Sequence, residues 1–132
     1  PQDDDRALMG ELSAETLQFR GVRGYVVDGG CRAVSFIRKM KFPVFCRFTT
    51  PRDIVSAWTP QKYDVPIKIG EVTIQSGDYI LGDQDGVVVL PGIHAESIIN
   101  RVEEVMQTEN LVRKAILEGV HPQEAYLRHR KF

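Results

Sequence analysis

The sequence predicts an α/β fold, and three observations carry that expectation. A short β-branched run, Tyr25-Val-Val27, passes directly into the acidic glycine turn Asp28-Gly-Gly30 and then to Arg32. A second apolar stretch, Phe42–Phe48, lies beyond a short helical segment, an order that suits parallel pairing through a crossover. After Asp64 the pattern changes to closely spaced short strands and then to a helical tail.

The elements follow in order. Pro1–Asp5 reads as a polar, acidic lead-in suited to a helix amino end. From about Arg6 to Arg20, Leu8, Leu12, Leu17 and Phe19 recur at loosely helical spacing, and Gly21 and Gly24 end that helix. Tyr25–Val27 reads as a buried strand and Asp28–Gly30 as a turn. Ala33–Met40 is a short helix with Val34, Ile37 and Phe36 facing inward, and Phe42–Phe48 is one strand. Thr49–Asp64, with Pro51, Pro60 and Trp58, is loop-like. Val65–Ile69, Val72–Ile74, Tyr79–Leu81 and Val87–Leu90 form hairpins separated by Gly70-Glu71, Ser76-Gly77-Asp78 and Asp83–Gly86. From Ile93 onward Ile98, Ile99, Val102, Val105, Met106, Leu111, Val112, Ala115 and Ile116 keep a helical period. Gly119–Pro122 breaks it before a last helical turn over 123–128. The expected division is a β/α core over 1–92 and a helical extension over 93–132.

A chain of 132 residues has the size of one domain and can bury a core without disulfide staples. Its formal net charge of −1 argues against a nucleic-acid surface, which carries a basic excess. No apolar run is long enough for a bilayer and no secretory pattern opens the chain, so a cytoplasmic protein with no membrane partner is expected. Cys31 and Cys46 show no metal-ligand spacing and read as reduced thiols.

A strand ending in an acidic glycine turn that delivers an arginine is how an α/β domain builds an anion pocket. Gly10-Glu11-Leu12-Ser13 lies just upstream and is read together with that turn. Asp83-x-Asp85-Gly86 reads as a tight turn rather than a metal pair, and His94, His121 and His129 as surface side chains. Trp58 lines a cleft or packs. Arg128–Lys131 is a solvated end.

These residues resemble a known family. Gly10-Glu11-Leu12, Gly21-x-x-Gly24-x-Val-Val-Asp28-Gly29-x-x-Arg32, Phe42-Pro43-Val44-Phe45 and Gly77-Asp78-x-x-x-x-Asp83-x-Asp85-Gly86-Val-Val-Val-x-Pro91 are similar to the RraA-like family. That family holds class II 4-hydroxy-4-methyl-2-oxoglutarate / 4-carboxy-4-hydroxy-2-oxoadipate aldolases and regulators of ribonuclease activity. The tail, with Glu109, Arg113, Gly119, Pro122, Glu124 and Tyr126, resembles the aldolase branch. The resemblance implies a swivelling β/β/α domain, a homotrimer or hexamer with sites between subunits, and a chain matching the carboxyl-terminal portion of longer relatives.

For chemistry, the resemblance implies a lyase acting on small 2-oxo acids, by retro-aldol cleavage or oxaloacetate decarboxylation, through a pyruvate enolate. Gly10, Glu11, Leu12 and Ser13 would bind substrate through helix-start amides, with Arg32 as the planar carboxylate fork. Arg32, Glu11 and Asp28 are the candidate catalytic residues, and Mg²⁺ or another divalent metal is the implied cofactor. Glu11 would reach the metal through water. Ala33 stands where the aldolases carry a metal-binding aspartate, which weakens metal holding and impairs activity. Glu104 and Glu109 are candidate acids for a neighbouring subunit's site. The alternative is a non-catalytic regulator that binds a protein partner such as a ribonuclease; Ala33 favours it, while Arg32 and the tail favour the lyase.

Overall fold

The computed structural model describes residues 3–130, so the lead-in at Pro1 and Gln2 and the end at Lys131 lie outside the described residues. The chain divides into two compact units, 1–89 and 90–132.

The first unit opens on a strand, β1 (Ala7–Met9), not on the expected helix. Gly10, in extended backbone, then starts α1 (Glu11–Phe19). The helical spacing of Leu8 with Leu12 was misleading: Leu8 lies in β1, and within α1 Ala14 and Leu17 face the core while Leu12 and Phe19 stand in solvent. The chain continues through β2 (Tyr25–Val26), β3 (Gly30–Cys31), α2 (Val34–Met40), β4 (Val44–Phe45) and β5 (Phe48–Thr49).

Pairing is parallel, as the order of elements implied. β2 pairs with β4, while β3 lies between β1 and β5. Two expectations are corrected here. The single strand Phe42–Phe48 is two strands, and part of the expected turn, Gly30, is itself in β3. The reason is a bulge. Val26 is opposite Phe45 and Gly30 opposite Phe48, so Val27, Asp28 and Gly29 face only Cys46 and Arg47. Backbone bonds from Val27 N–H to the Phe45 carbonyl (2.9 Å) and from Arg47 N–H to the Gly29 carbonyl (3.0 Å) carry the ladder across it.

The helices cover this layer through Met9, Ala14, Cys31, Ile37 and Phe42, with Leu17, Tyr25, Val34 and Val44 at the margin. Phe36, expected inward, is exposed because Ile37 takes the core side of this short helix. α1 ends at Gly21 (φ 81°): Gly21 N–H reaches the Gln18 carbonyl and Val22 N–H the Leu17 carbonyl, the paired bonds of a Schellman stop. α2 ends by the same device on a lysine, Lys41 (φ 56°), with Phe42 N–H on the Ile37 carbonyl.

Two short ribbons complete the unit. β6 (Ile67–Ile69) and β7 (Val72–Ile74) are antiparallel, and β8 (Tyr79–Gly82) pairs with β9 (Val87–Leu90).

The second unit is a 3-10 turn (Gly92–His94), α3 (Ala95–Leu117) and α4 (Pro122–Arg128). Its core is Val112, Ala115 and Ala125, flanked by Ile116, Val120 and Tyr126. Gly119 (φ 93°) stops α3 with Val120 N–H on the Ala115 carbonyl (3.0 Å), which folds Val120 back onto that core. Of the other apolar positions of the period, Ile99, Val102, Val105, Met106 and Leu111 are exposed and Ile98 is half-buried. Among the described residues no helix is long and apolar enough to cross a membrane.

Two stability changes follow from this backbone. A Cβ at Gly30 would sit 2.8 Å from the Arg6 carbonyl oxygen and 2.7 Å from the Phe48 ring, so Gly30→Ala lowers unfolding stability by about 1–3 kcal/mol in urea titration. Lys41→Gly relieves a left-handed lysine and raises stability by about 0.5–1 kcal/mol, read as a higher urea midpoint at constant slope.

Candidate active site

Arg32 leaves β3 at its carboxyl end, and its amide donates to the Met9 carbonyl (2.9 Å), tying it to the end of β1. One residue beyond Met9, Gly10 begins α1, with no side-chain cap at that helix end. The first intrahelical bond is from Ala14 N–H to the Gly10 carbonyl (2.9 Å), so the amides of Glu11, Leu12 and Ser13 form the open first turn. The Arg32 side chain lies directly over Gly10. A Cβ there would be 3.2 Å from Arg32 Nε and 3.3 Å from its Cγ. Glycine at this position therefore makes room for the arginine. The structure thus brings together Arg32 and the segment Gly10, Glu11, Leu12 and Ser13, with Glu11 half-buried and Leu12 and Ser13 exposed.

The residue that holds the guanidinium is Asp53, whose Oδ2 lies 2.7 Å from Arg32 Nη2, both side chains being roughly half exposed. The Val55 amide on Asp53 Oδ1 (2.9 Å) is the main cause that keeps the Asp53 carboxyl below its usual range; burial opposes it, and the Arg32 charge and the Ile54 amide add smaller pulls in the same direction as Val55. Sequence reasoning missed Asp53. Its spacing to Val55 marks an Asx turn, but nothing in the sequence joins it to Arg32.

Asp28 has different partners. Its carboxylate is 3.5 Å from Arg47 Nη1, which also binds Asp4 at 2.5 Å, and its carbonyl accepts from Asp3 N–H. The acidic lead-in is likewise occupied. Asp3 is buried and accepts from the amides of Asp5 (2.8 Å) and Arg6 (2.6 Å) and from Trp58 Nε1 (2.5 Å), while Asp5 pairs with Arg52. The Asp5 amide first, then Trp58 and the Arg6 amide, hold the Asp3 carboxyl below its ordinary value. Trp58 so fixed lines an open cleft of about 840 Å³ with Leu8, Tyr25, Ile54 and Lys62.

Ala33 follows Arg32 in left-handed backbone (φ 56°, ψ 36°) at the start of α2. Among the described residues no group of three or more His, Cys, Asp or Glu side chains converges as a metal site. With a methyl group at 33, the residues present do not fit a directly held divalent ion. Asp83 forms a tight turn, its Oδ1 accepting from Asp85 N–H (2.8 Å) and Gly86 N–H (3.3 Å). His94 and His121 are exposed in the second unit and His129 is half-buried at the end of α4. There, Glu104 pairs with Arg101 (2.7 Å) and Glu109 lines a cleft with Arg113 and Tyr126. Arg128 pairs with Glu124 (2.7 Å).

The family described as RraA-like (Aldolase/RraA) matches residues 1–89. The chain belongs to the RraA-like family. A Halalkalibacterium halodurans protein with the provisional name 4-hydroxy-4-methyl-2-oxoglutarate aldolase is 33% identical over 95% of this RraA-like chain, which spans only 59% of that relative. Among solved structures, a protein from Pseudomonas syringae pv. tomato is 27% identical with a TM-score of 0.90, over 96% of this chain and 59% of that one. Streptomyces coelicolor RraAS2, described as an unusual member of the RNase ES inhibitor RraA family, is 30% identical with a TM-score of 0.74, over 83% of this chain and 56% of that one. The fold is therefore that of RraA-like proteins, with the expected carboxyl-terminal helices.

Cys31 is buried, its thiol donating to the Arg32 carbonyl (3.4 Å), and burial, followed by the neighbouring Cys46, pushes it up to about 11. At pH 8 only about 0.1% is thiolate. Iodoacetamide should therefore leave Cys31 unmodified in the native chain, with labelling rising as pH climbs toward 11 or on denaturation; rapid native labelling at pH 8 would contradict this, as read by peptide mass mapping.

Proposed function

We propose that this RraA-like protein is a lyase for small 2-oxo acids that yields pyruvate, with Arg32 and the opening amides of α1 as its oxoacid clamp. The observation that carries the reading is the position of the Arg32 stem across Gly10, which sets a guanidinium beside the unfilled start of a helix. Both are donors suited to a carboxylate and to a developing enolate oxygen.

In oxaloacetate the C3–C4 bond breaks and CO₂ leaves. Its electron pair enters the C2–C3 bond, and negative charge moves to the C2 oxygen. In a 4-hydroxy-2-oxo acid the same bond breaks as the 4-hydroxyl loses its proton, leaving a carbonyl product and the same enolate. Arg32 and the amides of Glu11–Ser13 stabilise that charge, and Glu11 is the carboxylate nearest in sequence to exchange protons. A proton at C3 completes pyruvate. Asp28 is engaged with Arg47 at 3.5 Å. A site shared between subunits of a homotrimer or hexamer, with Glu104 or Glu109 supplied across the contact, extends the same reading.

A second reading is favoured by Ala33. With no carboxylate at this position, the fold would serve as a regulator that binds another protein such as a ribonuclease, a reading in keeping with the RNase ES inhibitor family to which Streptomyces RraAS2 is assigned as an unusual member.

The test is pyruvate release from oxaloacetate, with and without Mg²⁺, by the parent, Arg32→Ala and Ala33→Asp. Ala33→Asp is expected to fold, since aspartate accepts left-handed backbone more readily than alanine, and to gain Mg²⁺-dependent turnover. Arg32→Ala should lower kcat/KM by about 10²–10³ wherever turnover is measurable. Inert parent and Ala33→Asp chains would favour the regulator, and turnover indifferent to Arg32 would end the lyase reading.

A further inference from the structure

We propose that Asp53 is a tethered carboxylate that occupies Arg32 until an anionic ligand displaces it, and so sets how tightly the site takes an oxoacid. The inference rests on the oxoacid reading of Arg32 and concerns the regulation of that site.

The geometry has three parts. First, Asp53 is placed by its own loop. Ala7 N–H donates to the Arg52 carbonyl (3.0 Å), the Arg52 guanidinium binds Asp5, and Val55 N–H binds Asp53 Oδ1 (2.9 Å). None of these bonds involves Arg32, so the carboxylate remains in place when the guanidinium changes partner.

Second, the contact is single and accessible. Oδ2 meets Nη2 at 2.7 Å, while Oδ1 is taken by the Val55 amide and the Ile54 amide also favours the charged carboxylate. A monodentate, half-exposed ion pair is weak and exchanges readily with a ligand offering two oxygens to the planar fork.

Third, the local charge is already balanced. The single positive charge of Arg32 is matched by Asp53, and Glu11 at the helix start adds another carboxylate to the segment beside it. An incoming oxoacid at Arg32 meets Asp53 as a like charge, leaving the helix-start amides as its uncompensated attraction. Asp53 thus lowers affinity for anions, and a ligand must engage guanidinium and amides together to bind.

The test uses oxalate, a planar analogue of the pyruvate enolate, titrated calorimetrically into the full chain at constant pH and ionic strength. Asp53→Asn keeps the Oδ1 acceptor for Val55, and Asp53→Ser provides a second, shorter acceptor should the first variant fold poorly. Both should bind oxalate about tenfold more tightly than the parent, with the gap narrowing as salt rises, and Arg32→Met should abolish the gain in either background. If the parent binds oxalate through Arg32 but both Asp53 variants bind equally or more weakly, Asp53 only orients the arginine and the proposal is overturned, while the oxoacid reading stands. If neither the parent nor the variants bind oxalate, both fall.

Discussion

The site depends on how closely three parallel strands approach at Gly30. There the chain of β3 runs so near β1 and β5 that a single methyl group would press on the Arg6 carbonyl and the Phe48 ring. That approach allows Gly30 N–H to reach the Arg6 carbonyl (3.1 Å) and Arg32 N–H to reach the Met9 carbonyl (2.9 Å). Those bonds place the end of β3 beside the end of β1, and hence Arg32 beside the first turn of α1. The bulge at 27–29 serves the same end by shifting register between β2–β4 and β3–β5. A glycine that permits the ladder and a glycine that admits the arginine stem are thus two parts of one constraint.

Charges around this frame are sorted by it. Asp3, Asp4 and Asp5 meet Trp58, Arg47 and Arg52, stitching the segment before β1 to the bulge and to the loop after β5. Individually such exposed pairs contribute little. Asp3 differs, because its carboxylate is buried and accepts three donors, so leaving it unmatched would be costly. With Arg47 committed to Asp28 and Asp4, and Arg52 to Asp5, the arginine laid against an uncapped helix start is Arg32.

What was legible in the sequence was whatever local chemistry alone decides. The β-branched run, the stops at Gly21 and Gly119 and the hairpin turns all announce themselves within a few residues, and the resemblance added the family. What was not legible required tertiary partners. Ala7–Met9 has no strand pattern of its own and becomes a strand because β3 offers it a ladder, so a helix extended back to Arg6 looked reasonable. The split of Phe42–Phe48 into β4 and β5 follows from an extra residue on the opposite strand, invisible within the stretch itself. In the candidate site, the convergence of Arg32 with Gly10 followed from strand ends meeting. Asp53, by contrast, reaches Arg32 only through the folding of an irregular loop, and Asp28, adjacent in sequence to the glycine turn, finds Arg47 instead.

The alanine at 33 is not a requirement of the fold. Its left-handed backbone at the start of α2 costs an alanine about 1 kcal/mol, where an aspartate would be more at ease. Alanine also gives up the side-chain acceptor that favours Asp, Ser or Asn at a helix start. Nothing in the local packing rewards the methyl group, since Ala33 is only half-buried and lies outside the core formed by Met9, Ala14, Cys31, Ile37 and Phe42. The backbone at 33 is therefore one that glycine, asparagine or aspartate would adopt more readily than alanine. On the oxoacid reading proposed above, the arginine laid over Gly10 and the opening amides of α1 supply the anion's donors with no carboxylate needed at 33.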